Sequence, residues 1–314
     1  MIIGDGFNAK DIAEGDCLPA LKEAAQYLIT VEPYKTYSKY FNIYIGFAMS
    51  NESGIGTVNT IRYNRFGTTF TGGTGLSADY DEIFSYALNA PTVNQNNLNQ
   101  TLIIIVPNTT EYGGITQMWE DGSAIAICPR STDAYPYDSR GVLQHEAGGH
   151  AFGKLGDEYI YYNAFIDELS AASIRAAQSL GWYDNLSVTG KMHEVPWSHL
   201  IFDNRYSNLV DIYEGGFMYS RGVFRSEQNS CMNNNVPYFN AISRESIVRR
   251  IKKYAGETFS FEEFVANDKT DASSAVSATR GVGSTSTYHG RQMPPKIHKG
   301  SPLKSIRKAR RHRR

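Results

Sequence analysis

Within the fourteen residues from 145 to 158, the chain places His145, Glu146, His150, Asp157 and Glu158. Two imidazoles and a carboxylate are ligand types of a catalytic zinc, which takes three protein ligands and leaves a fourth position open. A glutamate beside the first histidine is the type that takes a proton from an activated water and passes it to a leaving amine. The spacing, however, is unusual. In H-E-x-x-H the histidines sit four apart on one helix face, whereas HEAGGH sets them five apart. At about 100° per residue, a regular α-helix turns the two imidazoles about 140° from each other. A π-type turn of about 4.4 residues totals ~410° over five steps and brings them within ~50°. Gly148 and Gly149 lie between the histidines, and each disfavours regular helix by about 1 kcal/mol relative to Ala. Gly153 is placed to end the helix and turn Asp157 or Glu158 back toward the metal. Asp157 is the expected third ligand, with Glu158 the alternative. The competing reading makes these residues ordinary helix positions, with His145 and His150 facing apart.

The elements that must position this motif read as an α/β layered domain. Ile2-Ile3 before Gly4-Asp5-Gly6 predicts a strand end and a tight turn. Asp11 to Thr30 has helical spacing, and Tyr40 to Phe47 alternates as a strand. Ala78 to Ala90 reads as a helix and Thr101 to Pro107 as a short buried strand. Ser123 to Cys128 is another strand, expected at the sheet edge beside the histidines, where an extended peptide could be held by β-addition. After the motif, Asn163 to Leu180 is helical with Gly181 as its cap. Ala241 to Tyr254 is an amphipathic helix expected to close the folded part. The domain expectation is therefore a catalytic domain over 1–260, then a disordered Ser/Gly-rich and basic tail over 267–314.

Composition narrows the function classes. The net charge is −1, but residues 296–314 hold nine Lys or Arg and no acid, leaving 22 bases against 32 acids elsewhere. The tail has no interleaved aromatics or base-reading element, so a specific nucleic-acid role is not expected; charge alone would serve for a polyanion. Three widely spaced cysteines exclude a four-Cys zinc site and leave at most one disulfide. No stretch approaches the ~18 apolar residues of a membrane span. The start lacks a signal peptide's features, and Met1 running into Ile2-Ile3 suggests that an upstream part is missing.

Other chemistry-bearing residues carry less. GTTFTGGTGLS is glycine-rich, but no Lys-Ser/Thr follows it, so it reads as a surface loop within Ser50 to Ser77. His193 and His199 flank Pro196-Trp197 and suit loop or packing roles. Tyr159 and Tyr219 are weak candidates for oxyanion donors among 21 tyrosines. Cys128 and Cys231 fall near the two ends of the motif region and read as buried, inert thiols.

HEAGGHAFGKLGDEY resembles the metallopeptidases of family M64, the IgA-peptidase-like group of metzincin-like zinc peptidases. GDGFNAKDIAEGD with VEPYKTYSKYFNIY is similar to the opening of their catalytic domain, and GGFMYSRGVFRSEQNSCMNNN to its closing segment. The resemblance spans residues 2–255. It implies a zincin-like fold with a mixed twisted sheet, an active-site helix and a C-terminal helix. It further implies Zn²⁺ held by His145, His150 and Asp157, Glu146 as general base, and Met232 as a soft, non-ligating floor beneath the histidines. A protein or peptide substrate and a secreted or cell-surface/periplasmic location are implied too. The chain departs from the family's H-E-x-G-H by one extra residue, a spacing similar to that of the dipeptidyl-peptidase III family. A non-catalytic binding module keeping the fold is the rival, and it requires an undistorted helix.

Overall fold

The computed structural model describes residues 1–270 and 293–306, a mixed α/β fold whose residues fall into two compact units. One unit comprises residues 1–28, 42–151 and 293–306. Its six-stranded sheet runs, edge to edge, Lys296–His298, Ile115–Trp119, Ala124–Ile127, Leu102–Pro107, Ile2–Asp5, Ile45–Gly46. The strands Ala124–Ile127, Leu102–Pro107, Ile2–Asp5 and Ile45–Gly46 pair in parallel, while Ile115–Trp119 lies antiparallel to Ala124–Ile127. The run LIIIVP is apolar throughout because a central parallel strand is covered on both faces. Ile3, Ile103, Ile105, Ile115, Ile125 and Ile127 pack with Phe84 and Trp119 in its core. Buried Asp5 anchors the 50–68 loop to the sheet by accepting hydrogen bonds from Ser50 Oγ (3.3 Å) and the amides of Phe66 (3.1 Å) and Thr68 (3.2 Å).

The second unit comprises residues 29–41 and 152–270. A three-stranded sheet, Ile160–Phe165, Met218–Arg225, Tyr213–Gly216, has helix Glu168–Ser179 following its first strand. Tyr34, Phe41, Phe152, Phe239 and Tyr254 meet ring to ring at 5.3–6.1 Å. Helix Ala241–Tyr254 begins where Asn240 Oδ1 accepts from Ser243 N, as an N-cap asparagine should.

Several expectations need correcting. Ser123 to Cys128 is not an edge strand: Ala124–Ile127 is paired on both sides. The strand beyond it, Ile115–Trp119, escaped the reading because its central Thr116 and Gln117 interrupt the apolar pattern. The helix expected over Asp11 to Thr30 is two helices, Ala9–Ala13 and Cys17–Ile29, parted at Gly15, whose φ of +89° no helix tolerates. Tyr40 to Phe47 keeps only Ile45–Gly46 as strand. Asn163 to Leu180 divides into the end of strand Ile160–Phe165 and a helix capped by Asp167. GTTFTGGTGLS forms a hairpin, Thr69–Gly72 against Gly75–Ser77, turning through Gly72 and Gly73 at positive φ.

The tail differs most. Lys296–His298 adds to the sheet in parallel beside Gln117–Trp119, His298 stacks on Trp119 at 4.6 Å, and Ile306 is buried in the core. Disorder is therefore not what residues 293–306 show, and helix Phe261–Asn267 continues the fold past residue 260. Residues 271–292 and 307–314, which hold the rest of the expected tail, lie outside the described residues. No helix among the described residues is long and apolar enough to cross a membrane.

Candidate metal and catalytic site

Asp138 caps a short α-helix, Ser139–Leu143, by accepting from Gly141 N at 2.9 Å. The helix then widens into a π-helix over Gln144–Phe152. This is the distortion that the five-residue spacing demands, and the Gly148–Gly149 pair lowers its cost. Its result is measurable: the His145 and His150 rings lie 4.7 Å apart, centroid to centroid, at 80°. The undistorted helix required by the binding-module reading is not formed. The π-helix stops at Phe152, immediately before Gly153.

His145, His150 and Asp157 are buried, and one ligand-type atom from each lies within 4.8 Å of the others. Two imidazole nitrogens and a carboxylate oxygen suit zinc, which accepts mixed N and O donors. Burial supports the fit, because carboxylates shut away from water are normally paired or bound to metal. Glu146 is buried as well and lies outside this group. Thr116 hydrogen-bonds its carboxylate at 2.8 Å.

Glu158 is committed elsewhere. Its Oε1 accepts from Asn185 and Asn240, both at 2.8 Å, and its Oε2 accepts from Ser230 at 2.6 Å. Burial pushes its carboxyl above the ordinary value, opposed by these bonds and by Arg225. The main chain here is fixed too. Asn185 bonds both the N–H and the C=O of Gly156, Phe217 N donates to Asp157 O, and Glu158 N donates to Met232 O. A Cβ on Gly156 would meet Leu186 Cδ1 at 2.5 Å, so a side chain there would force Leu186 to move. Met232 is fully buried in helix Cys231–Asn234, which Ser230 caps. The sequence reading missed Thr116, Asn185, Ser230 and Asn240. Only Asn240, preceding an amphipathic helix, had a readable signal, and that signal was for capping.

The weaker candidates have other partners. His193 stacks on Phe202 at 4.9 Å, and His199 Nε2 lies 2.7 Å from Glu245 Oε2. Tyr219 hydrogen-bonds Asp167 and Ser170. Cys17, Cys128 and Cys231 are in no disulfide and all are buried. Burial, with the nearby Glu146 charge, holds the Cys128 thiol well above its usual range, so it stays protonated.

Fold and site together define an α/β protein with a buried His-His-Asp group able to hold a metal ion. The sequence profile of the IgA peptidase M64 family matches residues 1–203, and the chain belongs to that family. It is thus a member of a peptidase family, whose substrates are peptides or proteins. The match ends before the segment around Met232. No curated protein matches the chain.

Proposed function

We propose that the chain is a zinc-dependent endopeptidase in which His145, His150 and Asp157 hold the metal and Glu146 is the general base. The carrying observation is the buried His145–His150–Asp157 group, its donor atoms within 4.8 Å of one another. Bound zinc would polarise the scissile carbonyl and make water acidic enough to attack near neutral pH. Glu146 takes the proton of the attacking water on a carboxylate oxygen and delivers it to the departing amine. Its position next to His145 keeps its backbone beside the metal group. Asp157 is preferred over Glu158 because both Glu158 oxygens already accept hydrogen bonds. Glu158 instead stiffens the turn that presents Asp157.

The catalytic region on this reading is residues 1–260 extended by helix Phe261–Asn267. Met232 serves it as the methionine turn. The metzincin grouping and a secreted or surface location rest on the family resemblance.

The test is metal analysis of the purified chain together with cleavage of a quenched-fluorescence peptide library. One zinc per chain is expected, lost in His145→Ala, His150→Ala and Asp157→Ala. Glu146→Gln should keep its zinc and lose cleavage. A zinc-free active protein, or a fully active Glu146→Gln, would overturn the reading.

A further inference from the structure

We propose that Thr116 and Gly114, on the strand segment beside the π-helix, are positioning residues that fix the Glu146 carboxylate for proton transfer. This rests on the reading of Glu146 as general base. A base acts only when its oxygen lies within about 2.6–3.2 Å of the proton's parent atom. A glutamate has three side-chain torsions, so something must select one arrangement. Adjacency to His145 fixes its backbone but not its carboxylate.

Two contacts contribute to that selection. Thr116 Oγ1 lies 2.8 Å from Glu146 Oε2 and 2.9 Å from the Glu146 main-chain oxygen. Thr116 has a single hydroxyl proton, shared between these two acceptors or given to one of them, so in either arrangement the hydroxyl tethers Glu146 to strand Ile115–Trp119; Thr116 is itself fully buried. Two residues earlier on the same segment, the carboxylate stem lies against Gly114. A Cβ there would stand 3.0 Å from Glu146 Cγ, 3.1 Å from Glu146 Oε1 and 3.0 Å from Val142 Cγ1. Such approaches are tighter than nine in ten real Cβ contacts, so Glu146 or Val142 would have to give way by a few tenths of an ångström. Gly114 is not among the residues of positive φ, so it is space and not backbone conformation that favours glycine there.

The segment cannot simply slide away to make room. Gly114 N donates to Thr74 O at 3.2 Å, and a Cβ on Gly113 would meet Thr74 O at 2.7 Å and Phe70 Cε1 at 2.8 Å. The strand therefore acts as a fixed wall. It offers one hydroxyl to Oε2 and a bare Cα where the rest of Glu146 must lie.

The experiment compares Thr116→Val, Thr116→Ser, Gly114→Ala and Glu146→Gln in the full chain, on the best-cleaved peptide of the library. Readouts are kcat, KM, zinc content and Tm. Thr116→Val should lower kcat on the order of a hundredfold, the scale on which an ångström of misplacement acts, with KM and zinc unchanged. Thr116→Ser, which keeps the hydroxyl, should recover most of that loss. Gly114→Ala, which forces a smaller shift of Glu146, should lower kcat about tenfold, and it carries the test alone if Thr116→Val does not fold. Thr116→Val or Gly114→Ala within about threefold of the parent kcat overturns the proposal. So does an equal loss in Thr116→Ser accompanied by lower Tm and zinc content, which marks a packing role. Glu146→Gln separates the two levels: activity retained there overturns the base assignment itself. An inactive Glu146→Gln beside an unaffected Thr116→Val overturns only the positioning.

Discussion

His145 and His150 are five residues apart, yet their rings stand 4.7 Å from each other because the helix between them is π and not α. An α register would separate them by about 140°. Gly148 and Gly149 are where the sequence yields. Replacing both with Ala favours the α register by at most about 2 kcal/mol in total, the full helix-propensity difference of the two residues. Metal binding that needs the π form should then weaken by up to about thirtyfold. Competition titration of zinc against a chelator measures this, and unchanged affinity would show that the glycines do not set the register.

The motif was legible because ligand types are chemically conspicuous, and the glycine pair signalled how the wrong spacing could work. Strand Leu102–Pro107 was legible for a different reason, as six residues without a charge or break. Ile115–Trp119 was not, since Thr116 and Gln117 are polar and buried, and only the folded neighbours Glu146 and His298 explain them. The sequence put Asp157 ahead of Glu158 as third ligand but held no reason visible in the neighbouring residues. The two are adjacent, and what occupies Glu158 comes from Asn185, Ser230 and Asn240, far along the chain. The tail misled because composition suggests disorder, whereas docking is decided by single residues such as Ile306.

Glu227 makes stability depend on pH. It accepts from the Tyr238 hydroxyl at 2.6 Å and Ala241 N at 2.7 Å, and burial pushes its carboxyl from an ordinary 4.5 up to about 7. Arg244 and the two hydrogen bonds oppose that rise. A raised folded value means the native state holds the proton longer than the unfolded chain does. The associated stability is fully present below the unfolded value and is lost as pH rises through about 7. The loss is on the order of 3 kcal/mol. Urea denaturation at a series of pH values should show this decline, and Glu227→Gln should flatten it. Equal slopes in both proteins would discount Glu227.

Arg244 and Asp268 form a buried two-pronged ion pair, Nε to Oδ1 and Nη2 to Oδ2, each at 2.8 Å. It ties helix Ala241–Tyr254 to the residue that follows helix Phe261–Asn267. Asp268→Ala leaves a guanidinium buried without its carboxylate, and should cost about 3–5 kcal/mol. Replacing both residues with apolar ones, Arg244→Met with Asp268→Leu, should cost less than the single change, because no charge is then stranded. Chemical denaturation of the three variants decides the order, and a double variant less stable than Asp268→Ala contradicts the account.

The C-terminal segment is held by packing and sheet pairing, not by its charge. Lys296, Lys299 and Lys304 are exposed, whereas Ile306 is only 2% exposed and shares a core with Ile115, Phe84 and Trp119. The segment also covers the sheet edge at Gln117–Trp119, and an uncovered edge strand invites pairing with other chains. Ile306→Ala should therefore cost about 2–5 kcal/mol, and removing residues 293–314 should lower the Tm further and promote aggregation. Changing the three lysines together to Gln should leave stability within about 0.5 kcal/mol, as surface substitutions do. Thermal melts with light scattering distinguish the cases. If the lysine variant loses as much stability as Ile306→Ala, charge and not burial docks the segment.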